Sequence, residues 1–147
     1  MYTYEVNLSW NEDRKGTVSS PVLSKSIEVA TPPEFPKGIE GVWSPEHLFV
    51  AAVNACLMTT FLAIAENSKL EFIEFHSSAT GILDKVEGKF MMMEIYLRPT
   101  LTIQNPEQEE KALKVLNMSE KACLISNSIK AKVILEPKIV VQEVVVA

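Results

Sequence analysis

Two cysteines, Cys56 and Cys123, have the side chains best suited to distinctive chemistry. A cysteine reacts as its thiolate, so its reactivity depends on the pKa of the thiol. Cys56 lies in the apolar stretch Ala51–Leu57, where a cysteine ordinarily serves as a small core hydrophobe. Cys123 follows Ser119, and if Ser119 caps a short helix, the helix dipole favours a thiolate at Cys123. A buried, unreactive cysteine is the alternative for both positions.

Arg14 and Glu46 are the charged residues of interest. Arg14 lies in the charged run Glu12–Gly16, where it would ordinarily be a solvated turn residue. Glu46 falls in the first turn of a predicted helix, where a carboxylate stabilises the helix dipole. His47 and His76 supply few metal ligands, and no phosphate loop, zinc-protease or serine-hydrolase motif is present. Taken one at a time, these residues do not indicate an enzyme.

Composition predicts one ordinary globular domain covering residues 1–147. With 14 Lys and Arg against 19 Asp and Glu, the net charge of −5 argues against non-specific nucleic-acid binding. The first ten residues alternate large and polar side chains and lack the basic leader and apolar core of a secretory signal. A cytoplasmic location is therefore expected, and cysteines there normally stay reduced.

The strongest predicted element is a helix that begins after Ser44. Ser44 is a good N-cap and Pro45 suits the first helical position, so the helix should continue to about residues 65–67. The stretch Leu48–Ala65 is nearly long enough to cross a membrane, but polar residues interrupt it, and a core helix of a soluble protein is favoured. Its polar residues form no single stripe, so the helix needs cover on every side. We therefore expect two such helices to pack in the shared core of an oligomer.

The remaining elements are mostly strands. In chain order they are strands at Tyr2–Trp10, Thr17–Leu23 and Lys25–Ala30, a hairpin of Leu70–Leu83 and Lys89–Leu97, helices at 105–118 and 119–129, and strands at 132–136 and 138–146. The first turn is predicted at Asn11–Gly16 and the hairpin turn at Glu87-Gly88. Strands and helices that occur in separate runs indicate an α+β fold with a segregated sheet.

The segment Trp43–Cys56 resembles the signature of the OsmC/Ohr family, in which an N-P-E-x-L-x-x-A-A stretch leads to A-C on one helix. A second segment, Ala122–Ser126, is similar to the C-P-x-S segment of that family. The resemblance extends over almost the whole chain and includes the opening strands with Trp10 and Gly16–Ser19. The sequence is therefore identified as a member of this family.

The resemblance implies a cytoplasmic thiol peroxidase that reduces organic hydroperoxides under oxidative stress. It implies that Cys56 is the peroxidatic thiolate, Cys123 the resolving thiol, Arg14 the activating arginine of the Ohr branch, and Glu46 the acid that holds this arginine. The implied fold is an α+β intertwined homodimer with antiparallel sheets wrapped around long central helices. Family members use no metal, haem or other cofactor, and a lipoylated protein or small dithiol is the implied reductant.

Two positions depart from the family pattern. Leu124 follows Cys123 where the family usually has proline. This difference changes the expected conformation of the turn around the resolving thiol and with it the expected disulfide geometry. The stretch Ile27–Thr31 lacks the later arginine of the OsmC branch, which leaves Arg14 as the candidate for activation.

Physical reasoning fits this chemistry. Burial raises the pKa of a thiol, so a guanidinium beside the sulfur has to outweigh desolvation. A sulfenic acid formed by peroxide then condenses with a nearby thiol. Glu46 and Cys56 are ten residues apart, or about 15 Å along a helix, so they cannot share a site within one straight helix. We therefore expect the partner subunit to supply the carboxylate, with two equivalent sites at a two-fold interface.

Two other functions stay open from the sequence. A dimeric hot-dog thioesterase also wraps sheet around a long apolar helix, and Glu46 could be its carboxylate. A non-enzymatic redox sensor or apolar-ligand binder would oxidise Cys56 once without turnover.

Overall fold

The computed structural model describes residues 1–143 and has a mixed α+β fold, as predicted. Its elements are β1 (Asn7–Glu12), β2 (Lys15–Ser19), β3 (Ile27–Ala30), α1 (Pro45–Asn67), β4 (Glu74–Val86), β5 (Lys89–Ile103), α2 (Glu109–Ala122), β6 (Lys132–Leu135) and β7 (Lys138–Val141), with short 3₁₀ turns at Pro106–Gln108 and Ser126–Ser128. The chain divides into two compact units, one of residues 1–49 and one that begins at Val50.

The first unit contains an antiparallel sheet in the order β1-β2-β3. Its first turn is tighter than predicted, because Glu12 already pairs with Lys15 and Asp13 takes a left-handed conformation with φ of 48°. All three strands are shorter than predicted. β2 ends at Ser19 because a turn follows it that contains Pro21, which has no N–H to donate to a ladder. Residues before Asn7, which pairs with Ser19, consequently have no strand to pair with in this sheet.

Helix α1 begins as the sequence predicted. The Ser44 hydroxyl accepts a hydrogen bond from the His47 N–H at 3.1 Å, and the Ser44 carbonyl accepts one from Leu48 at 2.9 Å. Among the residues that the structure describes, α1 is the one helix long and apolar enough to cross a bilayer, with a mean hydropathy of 2.1. A core helix of a soluble protein has the same properties, so this does not indicate a membrane protein.

The second unit is built on the long hairpin of β4 and β5. Its turn lies at Glu87-Gly88, where φ is 51° and 81°, and the predicted position is confirmed. β6 and β7 both pair with β5 in parallel, which makes this sheet mixed rather than purely antiparallel. β7 covers only part of the predicted strand 138–146, whose residues 144–146 lie outside the described residues.

The predicted break at Ser119 is wrong, because α2 continues through this position to Ala122. Ser119 is buried in the helix, and its hydroxyl donates to the Val115 carbonyl at 2.6 Å instead of capping a new helix. No glycine or proline lies nearby to end the helix earlier. Cys123 therefore stands directly after the carboxyl end of a helix, not in the first turn of one.

A core of the second unit joins the carboxyl half of α1 to α2 and the end of β5. Its buried members are apolar side chains from all three elements and from the segment after α1: Phe61, Ala65, Leu70, Leu101, Ile103, Ala112, Val115 and Leu116. The Phe61 ring stacks on Phe75 at 4.9 Å between centroids and meets Phe72 edge-on at 5.2 Å. This packing fixes the helix that carries one cysteine against the helix that leads to the other.

Candidate active site

Cys56 lies on the buried side of α1. It belongs to a stripe with Val53, Leu57 and Phe61, which recur at helical spacing and are all buried. The side chain of Cys56 is 9% exposed, and its Sγ lies 3.8 Å from the Thr60 Oγ1, one turn further along the helix. The thiol is therefore largely shielded from solvent and has a hydroxyl group beside it.

Cys123 is fully buried where the chain leaves α2. Its backbone is extended, with φ of −65° and ψ of 113°, and its carbonyl accepts a hydrogen bond from the Asn127 N–H at 3.1 Å. The chain thus turns back on itself after Cys123, and the Cys123 thiol lies close enough to Cys56 for each thiol to shift the pKa of the other. Both cysteines are free thiols.

Cys56 is the more acidic of the two thiols. Burial alone raises its pKa, since desolvation penalises the charged form. Four hydrogen-bond donors act against burial and leave the pKa below that of an ordinary thiol; in order of effect they are the Cys123 thiol, the Ile125 N–H, the Thr60 hydroxyl and the Leu124 N–H. Neutral donors within this unit therefore favour the Cys56 thiolate.

Cys123 has the opposite tendency. Burial and the hydrogen bond to Cys56 raise its pKa, and the hydroxyl and N–H of Ser126 oppose this without reversing it. The expectation of a dipole-stabilised thiolate at Cys123 is therefore wrong, because the residue follows a helix end instead of beginning a helix. The pair therefore consists of Cys56, whose lowered pKa makes it the readier to ionise, beside Cys123, whose raised pKa makes it the readier to keep its proton.

Arg14 and Glu46 are not brought together within the chain. Arg14 is exposed in the turn between β1 and β2, and no ion pair found among residues 1–143 includes it. Glu46 lies in the first turn of α1, and its Oε2 is buried with no hydrogen-bond partner in the described part of the chain. A buried carboxylate oxygen without a donor is costly, and residues 1–143 provide no donor to the Glu46 Oε2.

Sequence reasoning missed the neutral donors around Cys56. Thr60 could have been found, because a residue four positions along a helix lies beside Cys56 on the same face. The N–H groups of Leu124 and Ile125 carry no side-chain signal, since every residue except proline has one. Their position depends on where α2 ends, which the sequence placed wrongly.

The fold and the cysteine pair together define a class of α+β proteins with one thiol on a long helix and a second beside it after another helix. A family model described as OsmC-like protein matches residues 38–138, and the chain belongs to this family. The chain is 29% identical to the uncharacterized protein YmaD of Bacillus subtilis over 135 residues, 90% of this chain and 88% of that protein.

Solved structures share the fold. An OsmC-like protein of unknown function from Vibrio cholerae superposes with a TM-score of 0.84 at 24% identity, covering 93% of this chain and 99% of that one. An organic hydroperoxide resistance protein from Elizabethkingia anophelis gives a TM-score of 0.73 at 20% identity, covering 96% and 99%. At these identities the similarity shows the fold.

Proposed function

We propose that this protein is a thiol peroxidase that reduces organic hydroperoxides with its two cysteines. The observation that carries the proposal is the proximity of two buried thiols, of which Cys56 has a lowered pKa and Cys123 a raised pKa. A peroxide needs a thiolate to attack it and then a second thiol to remove the sulfenic acid, and this pair offers both. Membership of the OsmC-like family and the name of the Elizabethkingia anophelis neighbour support the same activity.

The first step is attack by the Cys56 thiolate on the terminal peroxide oxygen. The sulfur electron pair forms an S–O bond, the O–O bond breaks, and the alkoxide leaves. The alkoxide takes the proton of the Cys123 thiol that hydrogen-bonds Cys56, and it departs as the alcohol. Cys56 is then a sulfenic acid and Cys123 a thiolate, and the peroxide has been reduced by two electrons.

The second step forms a disulfide. The Cys123 thiolate attacks the Cys56 sulfur. The S–S bond forms, the S–O bond breaks, and hydroxide leaves and is protonated to water. A lipoylated protein or a small dithiol then restores both thiols by exchange and is itself oxidised to a disulfide. The cytoplasm is the proposed location, because reduced thiols persist there.

We propose that the active unit is a homodimer in which Arg14 and Glu46 complete the site. Glu46 and Cys56 are separated by about 15 Å of α1, so a Glu46 that serves the site of Cys56 comes from the partner subunit. The unpartnered Oε2 of Glu46 is a ready acceptor for a guanidinium. Arg14, whose ion-pairing capacity is unused in the described chain, supplies that guanidinium and adds positive charge beside the thiolate.

Subunit mixing tests this arrangement. Cys56→Ser and Glu46→Ala subunits are each expected to be nearly inactive alone, but co-expression should restore about a quarter of the wild-type activity. Random pairing makes about half of the dimers mixed, and each mixed dimer has one intact site. Peroxidase activity of purified mixtures, with separately tagged subunits to isolate the mixed dimer, measures the effect. Mixed dimers that stay inactive would place Glu46 and Cys56 of one subunit in the same site.

The substrate preference tests the activity itself. With dihydrolipoamide as reductant, kcat/KM for cumene hydroperoxide should exceed that for hydrogen peroxide by at least about tenfold. Burying even two methylene-sized groups beside Cys56 contributes about 1.5 kcal/mol, which corresponds to that ratio. Protein blocked with iodoacetamide is the control for background reduction. Equal rates for the two peroxides, or the absence of turnover, would contradict the proposal.

A further inference from the structure

Two adjacent threonines follow Cys56 by about one turn of α1, and their hydroxyl groups have different partners. The Thr59 hydroxyl donates to the Cys56 carbonyl at 3.2 Å, whereas the Thr60 Oγ1 lies 3.8 Å from the Cys56 Sγ. Side chains of a helix lean toward its amino end, so residues three and four positions after Cys56 both reach back over it. Of the two, Thr60 is the one that places its hydroxyl group at the sulfur.

The Thr60 hydroxyl does not make the hydrogen bond that is usual for a threonine in a helix. Such a threonine commonly donates to a carbonyl of the preceding turn, as Thr59 does. Among residues 1–143, the Cys56 sulfur is the one hydrogen-bond partner found for the Thr60 hydroxyl. Thr60 is half-buried and Thr59 is exposed, so the hydroxyl at the sulfur is also the better shielded from water.

A hydroxyl group suits both ionisation states of Cys56. It can accept a hydrogen bond from the S–H of the thiol, and it can donate one to the thiolate. A hydrogen bond to an ionised group is stronger than one between neutral groups, so this contact favours the charged form of the sulfur. Burial of Cys56 has the opposite effect, because it withdraws the sulfur from water.

We propose that Thr60 is a positioning residue whose hydroxyl group donates to the Cys56 sulfur and keeps this sulfur ionised. Both residues lie on α1, so the contact depends neither on the end of α2 nor on a second subunit. Among the groups of the described chain that shift the pKa of Cys56, Cys123 is the one titratable side chain, and none is charged. The consequence for peroxide reduction rests on the proposed function, whereas the contact itself does not.

The test compares Thr60→Val, which removes the hydroxyl and keeps the shape, with Thr60→Ser, which keeps the hydroxyl. The rate of alkylation of Cys56 by iodoacetamide, separated from Cys123 by peptide mass spectrometry, is followed against pH. Loss of a donor to the thiolate should raise the pKa of Cys56 by about one unit, which lowers the alkylation rate about tenfold at pH values below the pKa. Above the raised pKa the rates should converge, and Thr60→Ser should retain the wild-type profile.

Thr59→Val is the matched control, because it removes a hydroxyl from the same turn that donates to the carbonyl and not to the sulfur. It should leave the alkylation profile unchanged. Repeating the series in a Cys123→Ser chain leaves one thiol to titrate. The ultraviolet absorbance of the thiolate then follows Cys56 without requiring access for a reagent.

Thr60→Ala replaces Thr60→Val if the valine chain does not fold, as judged by circular dichroism. Alanine also lacks the hydroxyl and is a strong helix former, so it should give the same shift. A folded valine or alanine variant with an unchanged pKa of Cys56 would overturn the proposal, and so would an equal shift in Thr60→Ser or Thr59→Val. Because these measurements need no peroxide, an absence of peroxidase turnover would contradict the proposed function and leave the role of Thr60 to be decided separately.

Discussion

Replacement of Cys56 by serine is expected to lower the turnover of cumene hydroperoxide by at least about a thousandfold. An alcohol is not ionised at neutral pH, and it does not pass through a reversible sulfenic state as a thiolate does. The groups around position 56 remain in this variant, so the loss of activity can be attributed to the missing sulfur and not to a change in its surroundings. Peroxide consumption with dihydrolipoamide measures the effect, and circular dichroism confirms that the variant is folded.

Cys123→Ser is the matched control, because it removes the other thiol and leaves the Cys56 thiolate. With peroxide and no dithiol present, it should release one equivalent of alcohol per subunit, accumulate a sulfenic acid at Cys56 that dimedone traps, and then stop. Activity of the Cys56→Ser variant equal to wild type would contradict the peroxidase and favour a carboxylate enzyme that uses Glu46. One oxidation of wild type without turnover would indicate a redox sensor instead.

Local signals in the sequence were sufficient for the elements that depend on neighbouring residues. The start of α1 follows from Ser44 and Pro45, because a hydroxyl cap and a proline act within the first turn. The Glu87-Gly88 turn follows from two positions that tolerate positive φ between strands. The Asn105 side chain accepts a hydrogen bond from the Glu107 N–H at 2.9 Å. This cap is again a local effect, which the Asn105-Pro106-Glu107 sequence predicts.

Other features depend on distant pairing and could not be predicted. The strands of the first sheet end where their partners end, and β6 and β7 run parallel to β5 because the chain returns from α2 in that direction. Serine is a common N-cap residue, but the Ser119 hydroxyl donates a hydrogen bond to the Val115 carbonyl in the preceding turn of α2. A serine can either cap a helix or lie inside one, and the continuation of α2 past Ser119 decides between these roles.

Some features of the candidate site could likewise be predicted from the sequence and others could not. The two cysteines could be named from the sequence, and the family resemblance implied their pairing, which stays a prediction; the two thiols lie close enough for each to shift the pKa of the other. The directions of their pKa shifts could not be predicted, because the position at which α2 ends determines the burial of Cys123 and the groups that surround each thiol. The roles of Arg14 and Glu46 stay predictions, since a site shared between subunits is not contained in one chain.

The face of α1 opposite its buried stripe is a physical argument for the proposed dimer. This open face consists of Ala52, Ala55, Met58, Thr59, Leu62 and Ala63, so it is apolar or nearly so. Met58 and Leu62 are 41% and 43% exposed, and 22% of the most apolar part of the helix is buried within the chain. Leaving such a continuous apolar stripe in water is unfavourable, and a second copy of the helix would cover it.

Leu62→Glu is accordingly expected to dissociate the dimer and to abolish peroxidase activity with it. Burying an unpaired carboxylate in an apolar interface costs about 4 kcal/mol, which raises the Kd for dimerisation about a thousandfold. Sedimentation velocity measures the oligomeric state and the peroxide assay the activity. Leu113→Glu is the control, because Leu113 has a similar exposure of 41% on the amphipathic α2 and should leave a dimer. A monomeric Leu62→Glu protein with wild-type turnover would show that one chain holds a complete site. The proposed ion pair of Glu46 with Arg14 of a second subunit would then be wrong.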